Sequence, residues 1–258
     1  MPRSIEVYQV NPIFRSMREV MTLVRLYSVS KVYPNGAVGL LNVDTHIRQG
    51  ECVFLVGPSG AGKTTFMRIL TRQVLPTQGQ VIVDGRNVVR MKPSEVPYLR
   101  RTVRMVFQDY KLLPNKTVYE NVAFALRVTE ANPRQVRPRV MESLELVGLA
   151  GKARAYPGEL SGGEQQRVSI ARAIVGAPTI LLADEPTGNL DLDTSWGIME
   201  LLLRINKTGT TVIMATHNSS IVNGMMRRVI ELDGGKIVRD DERGAYRREA
   251  DHYMVLPG

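Results

Sequence analysis

The sequence has almost no cysteine and no long apolar run. Cys52 is the only cysteine among 258 residues, so an intramolecular disulfide is excluded, which fits a reducing compartment. Because Cys52 lies inside an apolar run, we expect it to pack in the core. No stretch approaches the 18 uninterrupted apolar residues of a membrane helix. The first 20 residues include Arg3, Glu6 and Arg15 and lack the apolar block of a secretory signal.

Acidic residues are fewer than basic ones, 25 against 34, which gives a formal net charge of +9. The excess is uneven, since residues 98–154 hold eleven Lys or Arg and five Asp or Glu. Such a face suits nucleic acid or the acidic lipid surface of a membrane. A plain solvated surface explains it equally well. The length allows one domain with an inserted subdomain.

A glycine-rich stretch directly follows the apolar run Cys52–Val56. It fits the phosphate-binding pattern G-x-x-x-x-G-K-[ST] at every fixed position, between a predicted strand and a predicted helix. Its glycines let several backbone N–H groups converge on one anion. Lys63 is placed to reach the β- and γ-phosphates, and the Thr64 hydroxyl can bind Mg²⁺. The predicted nucleotide-binding residues here are Gly57, Pro58, Ser59, Gly60, Ala61, Gly62, Lys63, Thr64 and Thr65.

Short apolar runs and turn signals predict an α/β fold. From residue 21 the pattern is typical of strands, with a turn at Pro34-Asn35-Gly36 and a second strand near 39–47. We expect these two or three antiparallel strands to join the sheet that carries the glycine-rich stretch. Another strand is predicted at 102–107, ending on Gln108.

The middle of the chain has a different pattern. Between residues 109 and 178 apolar residues recur at helical spacing, which predicts a mostly helical insertion. Pro133, Pro138 and Pro157 are expected to mark breaks between its helices.

Two carboxylates follow the first of two predicted parallel strands. The continuous apolar runs 179–183 and 211–215, with a helical pattern at 192–206 between them, predict a βαβ unit. Asp184 and Glu185 come directly after the first run, at the edge where α/β sheets bind ligands. Asp184 is suited to hold Mg²⁺ through water, since Mg²⁺ keeps several of its waters. Glu185 can orient or deprotonate an attacking water.

A second glycine motif occupies Leu160–Arg167. Ser161 is predicted to cap a helix, and Glu164 completes a capping box with it. The adjacent Gly162-Gly163 exposes N–H groups at the positive end of that helix, which makes a second anion site. One nucleotide is not expected to use both glycine motifs of the same chain.

Together these motifs resemble the ATP-binding cassette (ABC) ATPases. Leu160–Gln166 is similar to the signature motif of that family, and further positions fall where the family has functional residues. They are Tyr33, similar to the aromatic residue that stacks on adenine; Gln108, similar to the glutamine that touches Mg²⁺ and water; Asn189, Leu190 and Asp191, similar to the loop that crosses the dimer interface; and His217, similar to the switch histidine at the γ-phosphate.

The resemblance implies a P-loop NTPase (RecA-like) core with an N-terminal antiparallel β-subdomain and an inserted α-helical subdomain. It assigns residues 21–240 to the ABC domain and leaves a tail at 241–258. Residues 1–20 are an extension, or they precede a true start at Met17 or Met21. Thr64, Gln108 and Asp184 would bind Mg²⁺, and the expected catalytic residues are Glu185, His217 and Gln108.

The resemblance also implies two copies that pair head to tail around ATP and Mg²⁺. Ser161, Gly162, Gly163 and Glu164 of one copy would then meet the nucleotide held by the other copy. ATP closes this dimer and hydrolysis reopens it, a motion that is passed to membrane partners.

Within the family, Val106–Phe124 is most similar to the FtsE group of bacterial cell-division ATPases. This implies an FtsX-like membrane partner, cell-wall hydrolases as indirect targets, and a place on the cytoplasmic side of the membrane. ATPases of lipoprotein release and macrolide export remain alternatives, as does a nucleotide-gated scaffold in which hydrolysis matters little. DNA-repair and chromosome-organising ATPases carry a long coiled coil between the residues equivalent to Lys63 and Asp184. This chain has no such insertion, so nucleic acid is not an expected partner.

Overall fold

Two β-sheets and a layer of helices make up the computed structural model, which describes residues 22–129 and 131–244. The strands in these ranges are β1 (Thr22–Val32), β2 (Val38–Arg48), β3 (Cys52–Val56), β4 (Gln78–Val83), β5 (Arg86–Asn87), β6 (Val103–Val106), β7 (Ile180–Asp184), β8 (Thr211–Ala215), β9 (Arg228–Asp233) and β10 (Lys236–Asp241). The helices are α1 (Lys63–Leu70), α2 (Val96–Thr102), α3 (Val118–Arg127), α4 (Pro133–Leu146), α5 (Gly162–Ile174), α6 (Leu192–Lys207) and α7 (Ser219–Met225). Residues 1–20, with Met17, and Met21 lie outside the described residues, as does the tail beyond residue 244.

The larger sheet has the order β10-β9-β3-β8-β7-β6. All of its pairings are parallel except the one between β9 and β10. Successive side chains of β3 point to opposite faces. Phe54 belongs to the core cluster that also contains residues of α3 to α7, whereas Leu55 belongs to the cluster with residues of α1 and the smaller sheet. Every residue of β3 is buried on both faces. The buried Cys52 in this strand confirms its predicted place in the core.

The smaller sheet is antiparallel and has the order β2-β1-β4-β5. The expectation that its strands join the sheet of the glycine-rich stretch is therefore wrong. The reason is that both edges of β1 are already paired, because Leu26 faces Thr45 on β2 and Val81 on β4. The two sheets meet instead through side chains, with Leu26 in the same core cluster as Leu55.

A buried arginine fastens the two sheets to each other. Only 7% of the Arg228 side chain on β9 is exposed. Its guanidinium donates to the backbone oxygen of His46 on β2 (2.9 Å), to Glu51 (3.1 Å) and to Asp240 on β10 (2.7 Å). Because these partners come from both sheets, Arg228 also fixes β10, a strand that the sequence did not predict.

The insertion between β6 and β7 is mainly helical, as predicted, and consists of α3, α4, α5 and short 3₁₀ turns. The expected break at Pro138 is wrong, because this proline lies inside the continuous helix α4. Val136, Val140 and Leu144 form one buried face that runs past it. Packing of that face outweighs the single backbone hydrogen bond that proline cannot donate.

The other two prolines do lie at breaks. Pro133 is the first residue of α4 and follows the capping residue Asn132, whose side chain accepts from the N–H of Arg134. Pro157 opens the 3₁₀ turn Pro157–Glu159. In residues 22–129 and 131–244 we find no helix with the length and apolar composition needed to cross a membrane.

Candidate functional site

The glycine-rich loop joins β3 to α1, and its backbone requires glycine at two places. Gly57 has φ 135° and Gly62 has φ 111°, values that other residues rarely adopt. A Cβ atom would lie 2.0 Å from the Leu232 oxygen at Gly57 and 2.3 Å from the Gly39 oxygen at Gly62. Gly62 also caps α1 without a side-chain hydrogen bond. The first N–H groups of α1 therefore need a partner from outside the helix, which suits an anion.

The loop forms one wall of a cleft of about 770 Å³ at the carboxyl edge of the larger sheet. This cleft brings together the predicted phosphate-binding, metal-binding and catalytic residues. Besides Gly57 to Thr65, it is lined by Tyr33, Ala37, Val38, Gly39, Gln108, Asp184, Glu185 and His217. Ala37, Val38 and Gly39 were not predicted; they belong to the β1–β2 turn and the start of β2, where no local motif marks them.

The Lys63 side chain folds back onto the loop. Its Nζ donates to the backbone oxygens of Gly57 (2.7 Å) and Pro58 (2.9 Å). Burial lowers the pKa of Lys63, and the nearby carboxylates of Glu185 and Asp184 act in the opposite direction. A positive charge is thus held beside the N-terminus of α1, where a phosphate group would bind.

Thr64 and Asp184 form the part of the cleft that suits a divalent cation. The Thr64 hydroxyl donates to Asp184 Oδ2 at 3.4 Å, and Gln108 lines the same cleft. Burial, and next the charge of Glu185, raises the pKa of Asp184, which a bound cation would reverse. Within the described ranges no group of three or more His, Cys, Asp and Glu could hold a metal ion. Mg²⁺ fits this oxygen donor set, since it binds through few protein ligands and keeps phosphate and water oxygens.

Glu185 and His217 contact each other across the cleft. His217 Nδ1 lies 2.9 Å from Glu185 Oε2, and 17% of the Glu185 side chain is exposed. A bond of this kind needs the proton on Nδ1, which leaves Nε2 as the acceptor of the neutral ring. Glu185 also has a left-handed backbone, φ 48°, and its N–H donates to the Ala215 oxygen at the end of β8 (3.0 Å). Strained residues of this kind cluster at functional sites.

Tyr33 forms part of the cleft wall beside α1. Its hydroxyl is 3.1 Å from Thr65 Oγ1, a contact that ties the end of β1 to α1. Lys31 Nζ lies 5.2 Å from the centre of the Tyr33 ring. Lys31 therefore places a further positive charge near this wall, a feature that sequence reasoning missed.

The second glycine motif begins α5, and the predicted capping box is confirmed. The Ser161 hydroxyl accepts from the Glu164 N–H (3.3 Å), and Glu164 accepts from the Ser161 N–H (3.0 Å). Glu164 also forms an ion pair with Lys152, which together with the Ser161 N–H lowers the Glu164 pKa. None of Ser161, Gly162, Gly163 and Glu164 lines the cleft.

The loop 189–191 lies between Gln108 and the second glycine motif. Asn189 Oδ1 accepts from Gln108 Nε2 at 3.4 Å. A Leu190 methyl lies 3.4 Å from the point that a Cβ on Gly162 would occupy. Asp191 caps α6 by accepting from the Thr194 N–H (2.9 Å), and these bonds lower its pKa. The loop therefore connects a residue of the cleft with the start of α5.

Comparisons with known proteins agree with this geometry. The family model described as ABC transporter matches residues 40–188. The chain is 55% identical over 226 residues to the cell division ATP-binding protein FtsE of Streptococcus pneumoniae, an alignment that covers 88% of this chain and 98% of FtsE.

Two solved structures have the same fold. One is a dimeric ATP-binding cassette in a post-hydrolysis state bound to ADP and Pi, with TM-score 0.78, 36% identity, and coverage of 87% of this chain and 100% of the other. The second is cbiO1 from Clostridium perfringens, part of the ABC transporter complex cbiONQ, with TM-score 0.80, 27% identity, and coverage of 86% and 89%.

Proposed function

The chain belongs to the ABC transporter family of ATP-binding proteins, within its FtsE group, and we propose that it drives an FtsX-like membrane protein in cell division. It is an ATPase of this family. The observation that carries the proposal is the single cleft that holds Lys63, Asp184 and Glu185 beside the N-terminus of α1.

Lys63 and the loop would bind the triphosphate. The N–H groups of the loop take phosphate oxygens, and Lys63 exchanges its two carbonyl partners for the β- and γ-phosphates. Tyr33, which also lines the cleft, would stack on the adenine. Thr64, Asp184 and Gln108 would hold Mg²⁺, which when bound neutralises charge on the phosphate oxygens.

Glu185 would accept a proton from the attacking water. Its carboxylate is held by His217, and its backbone by Ala215, so its position is fixed before the substrate arrives. Such fixed groups contribute through orientation and proton transfer. For His217 to contact the γ-phosphate as well, Nε2 would have to donate, which requires a proton on both ring nitrogens.

The second glycine motif would act on a second copy of the chain. Ser161 to Glu164 do not line the cleft of their own chain, yet they present the capped N-terminus of α5, a site for negative charge. The dimeric ATP-binding cassette among the structural neighbours supports the same pairing here.

A membrane partner would dock near the helical insertion. Phe124 and Val128 at the end of α3 are exposed large apolar side chains, next to the basic residues of 98–154. The structural neighbour cbiO1 is part of a transporter complex, which supports a peripheral place on the cytoplasmic side of the membrane. Through an FtsX-like protein the closing dimer would control cell-wall hydrolases indirectly.

Two substitutions test the ATPase chemistry. Glu185→Gln should keep ATP bound, trap the dimer closed, and lower kcat by about 10² to 10⁴, since only the proton acceptor is lost. Lys63→Ala should weaken ATP binding at least about tenfold, because its charge meets the phosphates. Calorimetry with ATP and a phosphate-release assay measure both effects. Unchanged ATP affinity in Lys63→Ala, or unchanged turnover in Glu185→Gln, would contradict the roles given to these residues.

Co-purification from membranes tests the partner. The expected result is a four-span FtsX-like protein whose complex with the chain survives ATP cycling. A multi-span permease or a lipoprotein-release component in its place would overturn the cell-division assignment and leave the ATPase chemistry intact.

A further inference from the structure

The segment after Gln108 has an unfavourable backbone conformation. Tyr110 and Lys111 have φ 55° and 49°, in the left-handed region that side chains other than glycine rarely adopt. They are the only two consecutive non-glycine residues of this kind in residues 22–129 and 131–244. Contacts from elsewhere in the fold must therefore hold this conformation.

Arg172, in the last turn of α5, supplies the main contact. Its Nη1 donates to the Lys111 oxygen at 2.6 Å and its Nη2 donates to the Tyr110 oxygen at 2.8 Å. One guanidinium thus binds two consecutive carbonyls, which its planar fork allows and a lysine ammonium does not reproduce. No carboxylate in the described part of the chain forms an ion pair with Arg172. Burial lowers its pKa, and the two carbonyl oxygens accept its hydrogen bonds in place of a carboxylate.

Tyr110 adds a contact at the other end of the same helix. Its hydroxyl lies 3.1 Å from the point that a Cβ on Gly162 would occupy. Because α5 has 13 residues, its ends are roughly 20 Å apart. The Gln108 segment therefore lies against the first turn of α5 and is hydrogen-bonded to its last turn.

We propose that Arg172 is a positioning residue that makes the Gln108 segment and the N-terminus of α5 move as one body. The inference rests on the proposed function, in which Gln108 serves the nucleotide of its own chain and Ser161 serves that of the partner copy. A displacement of Gln108 when nucleotide binds is then transmitted to Ser161 through Arg172. Gln108 in the cleft and Ser161, which faces the partner copy, thereby reach their working positions together.

Arg172→Lys tests this role because it keeps the charge and removes the fork. We expect ATP affinity within about twofold of the unsubstituted protein, a kcat at least about tenfold lower, and little change in KM, since positioning matters for turnover and not for ATP binding. Arg204→Lys is the matched control: Arg204 Nη2 on α6 also donates to a carbonyl of the insertion, Leu146, at 3.3 Å. Its kcat should stay within about twofold.

Hydrogen exchange separates positioning from simple stability. In the unsubstituted protein, ATP should slow exchange in residues 108–113 and 161–165 in parallel. In Arg172→Lys, residues 108–113 should exchange faster without nucleotide, and the parallel response should be lost. A parallel response together with normal kcat would overturn the inference.

Two further outcomes are distinguishable in the same assays. If Arg172→Lys fails to fold, Arg172→Gln takes its place, because a glutamine amide has no planar fork to bind both carbonyls; a retained parallel response would then count against the inference. An unsubstituted protein that does not hydrolyse ATP overturns the proposed function, whereas normal hydrolysis in both proteins overturns only the role of Arg172.

Discussion

Cys52 is a single buried thiol at the start of β3, and its ionisation should be coupled to unfolding. Burial, with a smaller contribution from Glu51, raises its pKa from 9.0 to about 11. A raised pKa means that the folded protein keeps a proton that the unfolded chain loses. The stabilising contribution is therefore complete below pH 9 and is lost as the pH rises towards 11.

We predict that the free energy of unfolding falls between pH 7.5 and pH 10 by about 1.4 kcal/mol more in the unsubstituted protein than in Cys52→Ala. Urea unfolding at both pH values measures the difference. At pH 8 the folded protein should also react with a thiol reagent about a hundredfold more slowly than the unfolded chain. An equal fall of the free energy of unfolding with pH in the two proteins would contradict the prediction, because the thiol would then not be shielded in the folded state.

At the scale of secondary-structure elements, Asn121 joins α3 to the loop that precedes it. Its side chain is fully buried; Oδ1 accepts from the Leu113 N–H (2.8 Å), and Nδ2 lies within 3.1 Å of three backbone oxygens. Those oxygens belong to Leu113, Lys116 and Thr117. Removing the amide leaves buried backbone groups without partners, which costs more than the bonds contribute.

Asn121→Ala should therefore lower the free energy of unfolding by about 2–4 kcal/mol. Asn115→Ala is the matched control, since Asn115 is exposed in the same loop and should change stability by less than about 0.5 kcal/mol. Chemical denaturation at one pH measures both. Similar values for the two substitutions would contradict the structural role of Asn121.

Elements with a strong local pattern were predictable from the sequence. The runs at 179–183, 192–206 and 211–215 gave β7, α6 and β8 within one residue at each end, because buried parallel strands and amphipathic helices show in composition alone. β10 was missed since none of its residues is buried. It is held by ion pairs such as Arg239 with Glu231 on β9. Such pairs depend on which strands become neighbours in the fold, so they leave no periodic pattern in the sequence.

The residues of the candidate site also fall into those that the sequence predicted and those that it did not. Gly57 to Thr65, Asp184 and His217 lie in motifs whose spacing is local, and the structure places all of them in one cleft. Arg172 acts through contacts with Tyr110 and Lys111, which lie far away in the sequence, so no local signal identifies it. Lys31 and Val38 are near Tyr33 in the sequence but belong to no motif. The pairing of β1 with β4 is of the same kind, since an alternating pattern does not say which edge a strand will join.

At the scale of the whole molecule, the cleft and the second glycine motif lie at separate places on the chain. Lys63 and Glu185 line the cleft, whereas Ser161 does not. If a second copy of the chain completes the nucleotide site, a defect in the cleft and a defect at Ser161 should complement each other in a mixed dimer. In the symmetric head-to-tail pairing, one of the two sites in such a dimer receives only unsubstituted groups.

We therefore predict that Lys63→Ala and Ser161→Asp are each inactive alone and recover activity when mixed. Aspartate retains the helix cap of α5 but sets a negative charge against the partner's triphosphate. Random pairing makes half of the dimers mixed, each with one intact site of two, so at most about a quarter of normal ATPase activity should return. The control is Lys63→Ala mixed with Glu185→Gln: both residues serve the cleft of their own chain, so no mixed dimer has an intact site. Recovery in the control, or none in the first mixture despite ATP binding by Ser161→Asp, would contradict a site shared between two copies.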